Sequence, residues 1–247
     1  MNRIVKFAVV PFAALFLMSC AAAHTAISKA DLDVQTKMSK SVFLDPMPPE
    51  ERVVFVQVRN SSDKPAFDIS DRVRAAIESK GYTITDNPDY AHILLQANVL
   101  QVGKIDPSAA ERALLGGYGD MALAGGVGAA AGYQLGGFTS GAGLAGGLIG
   151  MAASTIANAA IKDVTYSIIT DIQVSERANQ GVMVREDTHH TLQQGTTGTS
   201  TITASEITDW KRYQTRIVST ANKVNLEFAE AQPELVAGIV RSISGIF

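Results

Sequence analysis

A single cysteine, Cys20, serves the whole 247-residue chain. That excludes an intrachain disulfide and any zinc site built on several cysteines. Histidine is scarce too: His24, His92, His189 and His190 include no pair at ligand spacing with a carboxylate on a helix. An exposed polar loop explains Asp187 to His190 better than a zinc site does. Asp63, Asp68 and Asp71 have the spacing of a solvated loop and helix start rather than of a cation site. No Gly-x-Ser-x-Gly elbow and no GK[ST] phosphate loop occur. The net charge is −3, with no basic patch, which gives no support to nucleic-acid binding. Nothing among these residues argues for an enzyme, a cofactor or a bound metal.

The most unusual absence is local. From Met121 to Ile161, 41 residues pass without a charge, and fourteen of the 21 glycines lie between Gly116 and Gly150. Large side chains are few there. The expected reading is a membrane hairpin split at its only polar cluster, the tip Gln134-Leu135-Gly136-Gly137-Phe138-Thr139-Ser140. Residues 121–135 and 142–160 would form helices of about 22 Å and 28 Å, short but tolerable in a thin outer membrane. Gly128, Gly132 and Gly136, then Gly143 and Gly147, and Gly146 and Gly150, recur at four-residue spacing. On a helix this clears a face for close packing in lipid. A flexible Gly/Ala loop and a buried hairpin in a soluble core are the alternatives. Gly126-Val127-Gly128, with Ala131 following, resembles part of a dinucleotide loop, but no strand leads into it.

The N-terminus carries Arg3 and Lys6, an apolar run from Phe7 to Met18, and then Ser19-Cys20. This pattern is that of a secretory signal, too short for a spanning helix. Leu17-Met18-Ser19-Cys20 matches a bacterial lipobox, so cleavage before Cys20 and covalent lipid on Cys20 are expected. Several acyl chains give a stable anchor. A buried thiol, or cleavage after the following alanines, is the competing reading. Ala21 stands where an inner-membrane retention signal usually has aspartate, which favours the outer membrane.

Past the anchor, the patterning predicts an α+β fold: a small mixed sheet with flanking helices, interrupted by the Gly/Ala-rich transmembrane helical hairpin. The expected divisions are a signal peptide (1–19), a tether (20–50) with one short ordered segment near Lys40 to Leu44, a discontinuous soluble domain (51–112 and 162–247), and the hairpin region (113–161). Strands are read at 52–59, 82–85, 91–102, 163–174, 182–185 and 213–220, with Gln180-Gly181 as a turn. A helix capped by Asp68 follows the first of these, and a closing helix carries Pro233 in its first turn. Strands 91–102 and 163–174 are candidates for neighbours in one sheet. Thr196 to Thr208 reads as either a surface strand or a loop.

At this point KMSKSVFLDP (Lys37–Pro46), QANVL (Gln96–Leu100), ITDIQVSER (Ile169–Arg177) and RYQTRIVSTANKVNLEF (Arg212–Phe228) resemble the TraT family of outer-membrane lipoproteins. The resemblance runs from the lipobox to the C-terminus. It implies a lipidated homo-oligomer, ring-like in form, that limits redundant conjugative DNA uptake (surface exclusion) and reduces complement killing. Its partners would be further copies of itself, the outer membrane, and the donor-cell mating apparatus or complement components. No catalytic residue comes with the resemblance. The alternative function is an oligomeric outer-membrane pore or a secretion-associated lipoprotein. Against it, the uncharged stretch has too few polar residues to wet a pore.

Overall fold

The computed structural model describes residues 28–119, 162–178, 183–194 and 198–247; for 186–194 and 198–206 it describes the backbone alone. In chain order the elements are β1 (Asp33–Met38), β2 (Val53–Asn60), α1 (Ser70–Glu78), β3 (Thr83–Thr85), β4 (Ile93–Lys104), α2 (Pro107–Gly116), β5 (Asp163–Arg177), β6 (Val184–Gln194), β7 (Gly198–Thr208), β8 (Trp210–Val224) and α3 (Phe228–Ser244). Six strands form one sheet in the order β1-β8-β5-β4-β2-β3, and β6 and β7 pair as a separate antiparallel ribbon. β2 runs parallel to β3 and β4, whereas β4, β5, β8 and β1 are successively antiparallel.

Period-two patterning sets the two faces of this sheet. Ile93, Leu95, Ala97 and Val99 of β4 are buried on one face together with Val54 and Val56 of β2 and Ile172 and Val174 of β5. Helices α1 and α3 close that core: Val73 and Ile77 come from α1, and Leu235, Ile239 and Ile243 from α3. Each such aliphatic side chain contributes about 1.5–3 kcal/mol on burial. α1 starts where Asp68 accepts hydrogen bonds from the Ser70 amide (2.8 Å) and hydroxyl (2.5 Å). Those bonds hold the Asp68 carboxyl below its ordinary range. The opposite face is polar over much of its area. α2 covers one part of it, capped by Asp106 accepting from the Ser108 amide and led by Pro107. Its Ala109, Ala110 and Ala113 pack on Ile169 and Val218 as a second, smaller core.

Several expectations change. The fold is sheet-rich, a six-stranded sheet with a two-stranded ribbon and three α-helices. Among the described residues no helix is both long and apolar enough to cross a membrane. This corrects the expected α+β fold interrupted by a transmembrane helical hairpin. The stretch assigned to that hairpin, 121–160, lies outside the described residues. Within the segment expected to be a tether, Asp33–Met38 forms β1, which pairs with β8, and Val42, Leu44 and Met47 pack against the main core. Residues 107–112 and 113–116, divided between two regions by the sequence reading, belong to one helix.

β4 and β5 are antiparallel neighbours, as expected of the two long strands. The strand after Gln180-Gly181 does not return along β5. It runs on as β6, and β7, the undecided Thr-rich stretch, pairs with it. α3 begins one turn earlier than its proline suggests, with Pro233 inside the helix. An interior proline costs the helix one backbone hydrogen bond, which the buried apolar stripe on both sides of it offsets.

Candidate functional site

The polar face of the sheet holds the densest chemistry among the described residues. Alternation along β2, β4, β5 and β8 brings Gln57, Gln96, Gln173 and Gln214 to the same face, and the register makes each the direct neighbour of the next. Their amides form a ladder. Gln214 Nε2 donates to Gln173 Oε1 (2.8 Å), Gln173 Nε2 to Gln96 Oε1 (3.2 Å), and Gln96 Nε2 to Gln57 Oε1 (3.0 Å). Two residues along the strands lies a second row across the same strands, Arg59, Asn98, Asp171 and Arg216.

Asp171 and Arg216 form a bidentate ion pair, with Nε to Oδ1 at 2.6 Å and Nη2 to Oδ2 at 2.9 Å. Arg216 is fully buried. It also donates from Nη1 to the Ala113 carbonyl near the C-terminal end of α2 (3.2 Å). Asp171 Oδ2 accepts from the Gly119 amide (2.9 Å), so the pair ties the helix and the turn that follows it to the sheet. In that turn Gly117 and Gly119 have φ of 70° and 77°, where a Cβ is strained. Tyr118 between them stands over the ladder, its hydroxyl 3.5 Å from Gln173 Oε1. Burial, and secondarily the Asp171 charge, push the Tyr118 phenol above its ordinary value. Tyr118, Arg59, Gln57, Gln96, Asn98 and Asp171 are among the residues that line a cleft of about 330 Å³.

A second cleft, of about 350 Å³, lies on the other side of α2. Lys29, Asp33 and Lys37 face Glu111 and Leu114 across it. A third polar group sits at the far end of β5. There Glu176, only 5 % exposed, accepts from the Asp45 amide (3.2 Å) and the Tyr213 hydroxyl (3.3 Å) beside the Lys211–Asp45 ion pair. Burial raises the Glu176 carboxyl first, and the neighbouring Asp45 charge raises it further.

The residues singled out from the sequence fall elsewhere. Cys20, the glycines Gly128, Gly132, Gly136, Gly143, Gly147 and Gly150, and the tip from Gln134 to Ser140 all lie outside the described residues. Asp68, expected as the cap, stands one residue before the N-cap Ile69 and is taken up by its bonds to Ser70. Among the described residues no three His, Cys, Asp or Glu side chains converge as metal ligands. Sequence reasoning missed the glutamine ladder and the Asp171–Arg216 pair. Gln96, Asn98 and Gln173 were legible as the polar phase of alternating strands, but cross-strand register was not.

A family model described as Enterobacterial TraT complement resistance protein matches residues 31–247. A TraT complement resistance protein of Escherichia coli is 40% identical over 243 residues, covering 94% of this chain and 93% of that protein. The protein of that name in Escherichia coli strain K12 is 41% identical over 239 residues, with 94% and 93% covered. A TraT complement resistance protein of Wigglesworthia glossinidia brevipalpis is 29% identical over 235 residues, with 94% and 91% covered.

Proposed function

Since the chain belongs to the TraT family of complement resistance proteins, we propose that it protects its cell from complement as a non-catalytic interaction protein, lipid-anchored at Cys20 in the outer membrane. The observation that carries this reading is kinship along nearly the whole chain to proteins that bear that name. The same reading extends to surface exclusion, in which the protein lowers redundant conjugative transfer into its own cell, and to a homo-oligomeric state. Support for the anchor is the apolar signal ending in Leu17-Met18-Ser19-Cys20. Support for an interaction role is the polar sheet face, on which glutamine amides, Tyr118 and Arg59 stand together.

Two assays on one pair of strains test the proposal. Recipients expressing the chain should survive normal serum better than the same cells without it, and should yield fewer transconjugants in a mating. Heat-inactivated serum is the control for complement. Equal survival in active serum with and without the chain would remove the protective reading, and unchanged mating frequency would remove the exclusion reading alone. Cys20→Ser should leave an uncleaved, non-acylated precursor and abolish both effects. Mass spectrometry showing an unmodified N-terminus in the wild-type protein would refute the anchor.

A further inference from the structure

The cleft over the glutamine ladder is a built polar surface, and its chemistry selects a ligand class. A primary amide has two N–H donors and an oxygen with two lone pairs. The ladder bonds use one donor and one acceptor of Gln96, and likewise of Gln173. They hold the amide planes fixed. Of the two rungs that line the cleft, Gln96 keeps a further donor and a further lone pair, and Gln57 keeps its donors, its oxygen being met by Gln96 and Arg59. The two stand at the spacing of neighbouring strands, about 4.8 Å. Rigid amide donors on adjacent strands, with the open Gln96 oxygen beside them, are the complement of adjacent hydroxyl groups, each of which can accept as well as donate. Beside the row stands the Tyr118 ring, 38% exposed, an amphipathic wall for the C–H face of a sugar ring.

The charge of the cleft narrows the class. The Asp171 carboxylate is committed to Arg216 and to the Gly119 amide, whereas the Arg59 guanidinium stands exposed at the rim, its Nη2 donating over a long 3.5 Å to Gln57 Oε1. The lining therefore holds amides, a phenol, the Asp171 carboxylate whose charge the buried Arg216 offsets, and one guanidinium, so that Arg59 carries the charge left for a ligand. A nucleic acid would need several cations along its backbone. A peptide adding to the sheet would use an edge strand, but this cleft lies on the face of β2, β4 and β5, away from the edges formed by β1 and β3. A lipid tail would need an apolar wall more extensive than Ala97, Leu100 and the Tyr118 ring supply beside the amides.

We infer that this cleft binds an oligosaccharide carrying a carboxylate, with its hydroxyls on the Gln57 and Gln96 amides, one ring against Tyr118 and its acid on Arg59. The inference stands apart from the complement and mating readings, because it concerns direct binding by the purified protein.

The test uses the full chain in detergent, with sialyllactose as the acidic probe, lactose as the neutral one and tetraglutamate as an acidic peptide, each followed by saturation-transfer NMR. Saturable binding of sialyllactose is expected, with lactose and tetraglutamate each weaker by about tenfold, the scale of one charge-assisted hydrogen bond. Arg59→Gln should erase the preference for sialyllactose over lactose. Tyr118→Ala, at an exposed turn where the fold tolerates it, should weaken both sugars and remove the transfer signal from one ring. Gln96→Leu should abolish binding, with thermal unfolding checked in parallel because it breaks the ladder. Absence of saturable binding by sialyllactose would overturn the inference. So would binding unchanged by both Arg59→Gln and Tyr118→Ala, or tetraglutamate binding as well as the sugar.

Discussion

Arg216 is fully buried, and its charge is tolerable there only because Asp171 meets it in a bidentate pair. Replacing one member leaves the other charged and buried, at a cost of about 3–5 kcal/mol. Arg216→Met should therefore lower the chemical-denaturation midpoint far more than the double variant Asp171→Leu with Arg216→Met. Equal losses would mean the pair is not the anchor of α2. Glu176 makes a different case. Its carboxyl is raised above its ordinary 4.5 by burial and then by Asp45, with Lys211 and the Tyr213 hydroxyl partly opposing the shift. The folded state thus holds this proton more tightly than the unfolded chain does. Glu176 favours folding below about 4.5, and that contribution is lost as pH rises through the raised folded value. Glu176→Gln keeps an acceptor for Tyr213 and should flatten this fall. Identical pH profiles of unfolding for variant and wild type would refute the assignment. Neither residue was legible from the sequence. Arg216 sits in a strand that the sequence reading marked only by its extent, 213–220, and only the register with β5 and the placement of α2 supply its partners.

At the scale of elements, the long strands and α1 were legible because period-two and helical patterning are strong there. The ribbon's pairing was not, since a Thr-rich strand pairs equally well with any polar strand. β1 escaped notice for a related reason: an edge strand of alternating polar residues looks like a linker until a partner is found for it. α3 reaches the sheet through a close approach at Gly238. A Cβ there would collide with the Thr36 hydroxyl and press on that of Ser219, which are themselves bonded at 2.8 Å. Gly238→Val should cost about 1–3 kcal/mol through overpacking, read as a lower melting temperature. For Gly238→Ala the gain in helix propensity of about 1 kcal/mol opposes the clash, so the alanine variant should lie between wild type and valine. A valine variant as stable as wild type would show that Thr36 can rotate away freely.

The whole molecule has a direction set by β5. Fifteen residues at about 3.4 Å each make it roughly 50 Å long, and different parts of the chain gather at its two ends. At the first end, Asp163 pairs with Lys29 (2.6 Å), the Val224 amide donates to the Lys29 carbonyl (3.0 Å), and Lys162 and Asn225 exchange hydrogen bonds. The chain from the N-terminus enters here, and the long uncharged stretch returns here at Lys162. At the other end Arg177 lies over the Trp210 ring (4.8 Å) and the Ala178 amide donates to Asp209 (2.7 Å), closing the sheet where the β6–β7 ribbon departs. Lys29 is nine residues beyond Cys20, a reach of at most about 32 Å. With the proposed lipid on Cys20, the Asp163 end is held near the bilayer and the ribbon end points away from it. A fluorophore on Ala229→Cys, just past β8 at the first end, should be quenched more by nitroxide lipids in reconstituted vesicles than one on Asp209→Cys at the other. Both positions are exposed, so labelling leaves the core intact. Equal quenching would mean the sheet lies flat on the membrane, and stronger quenching at Asp209 would mean that the ribbon, rather than the N-terminal segment, faces the lipid.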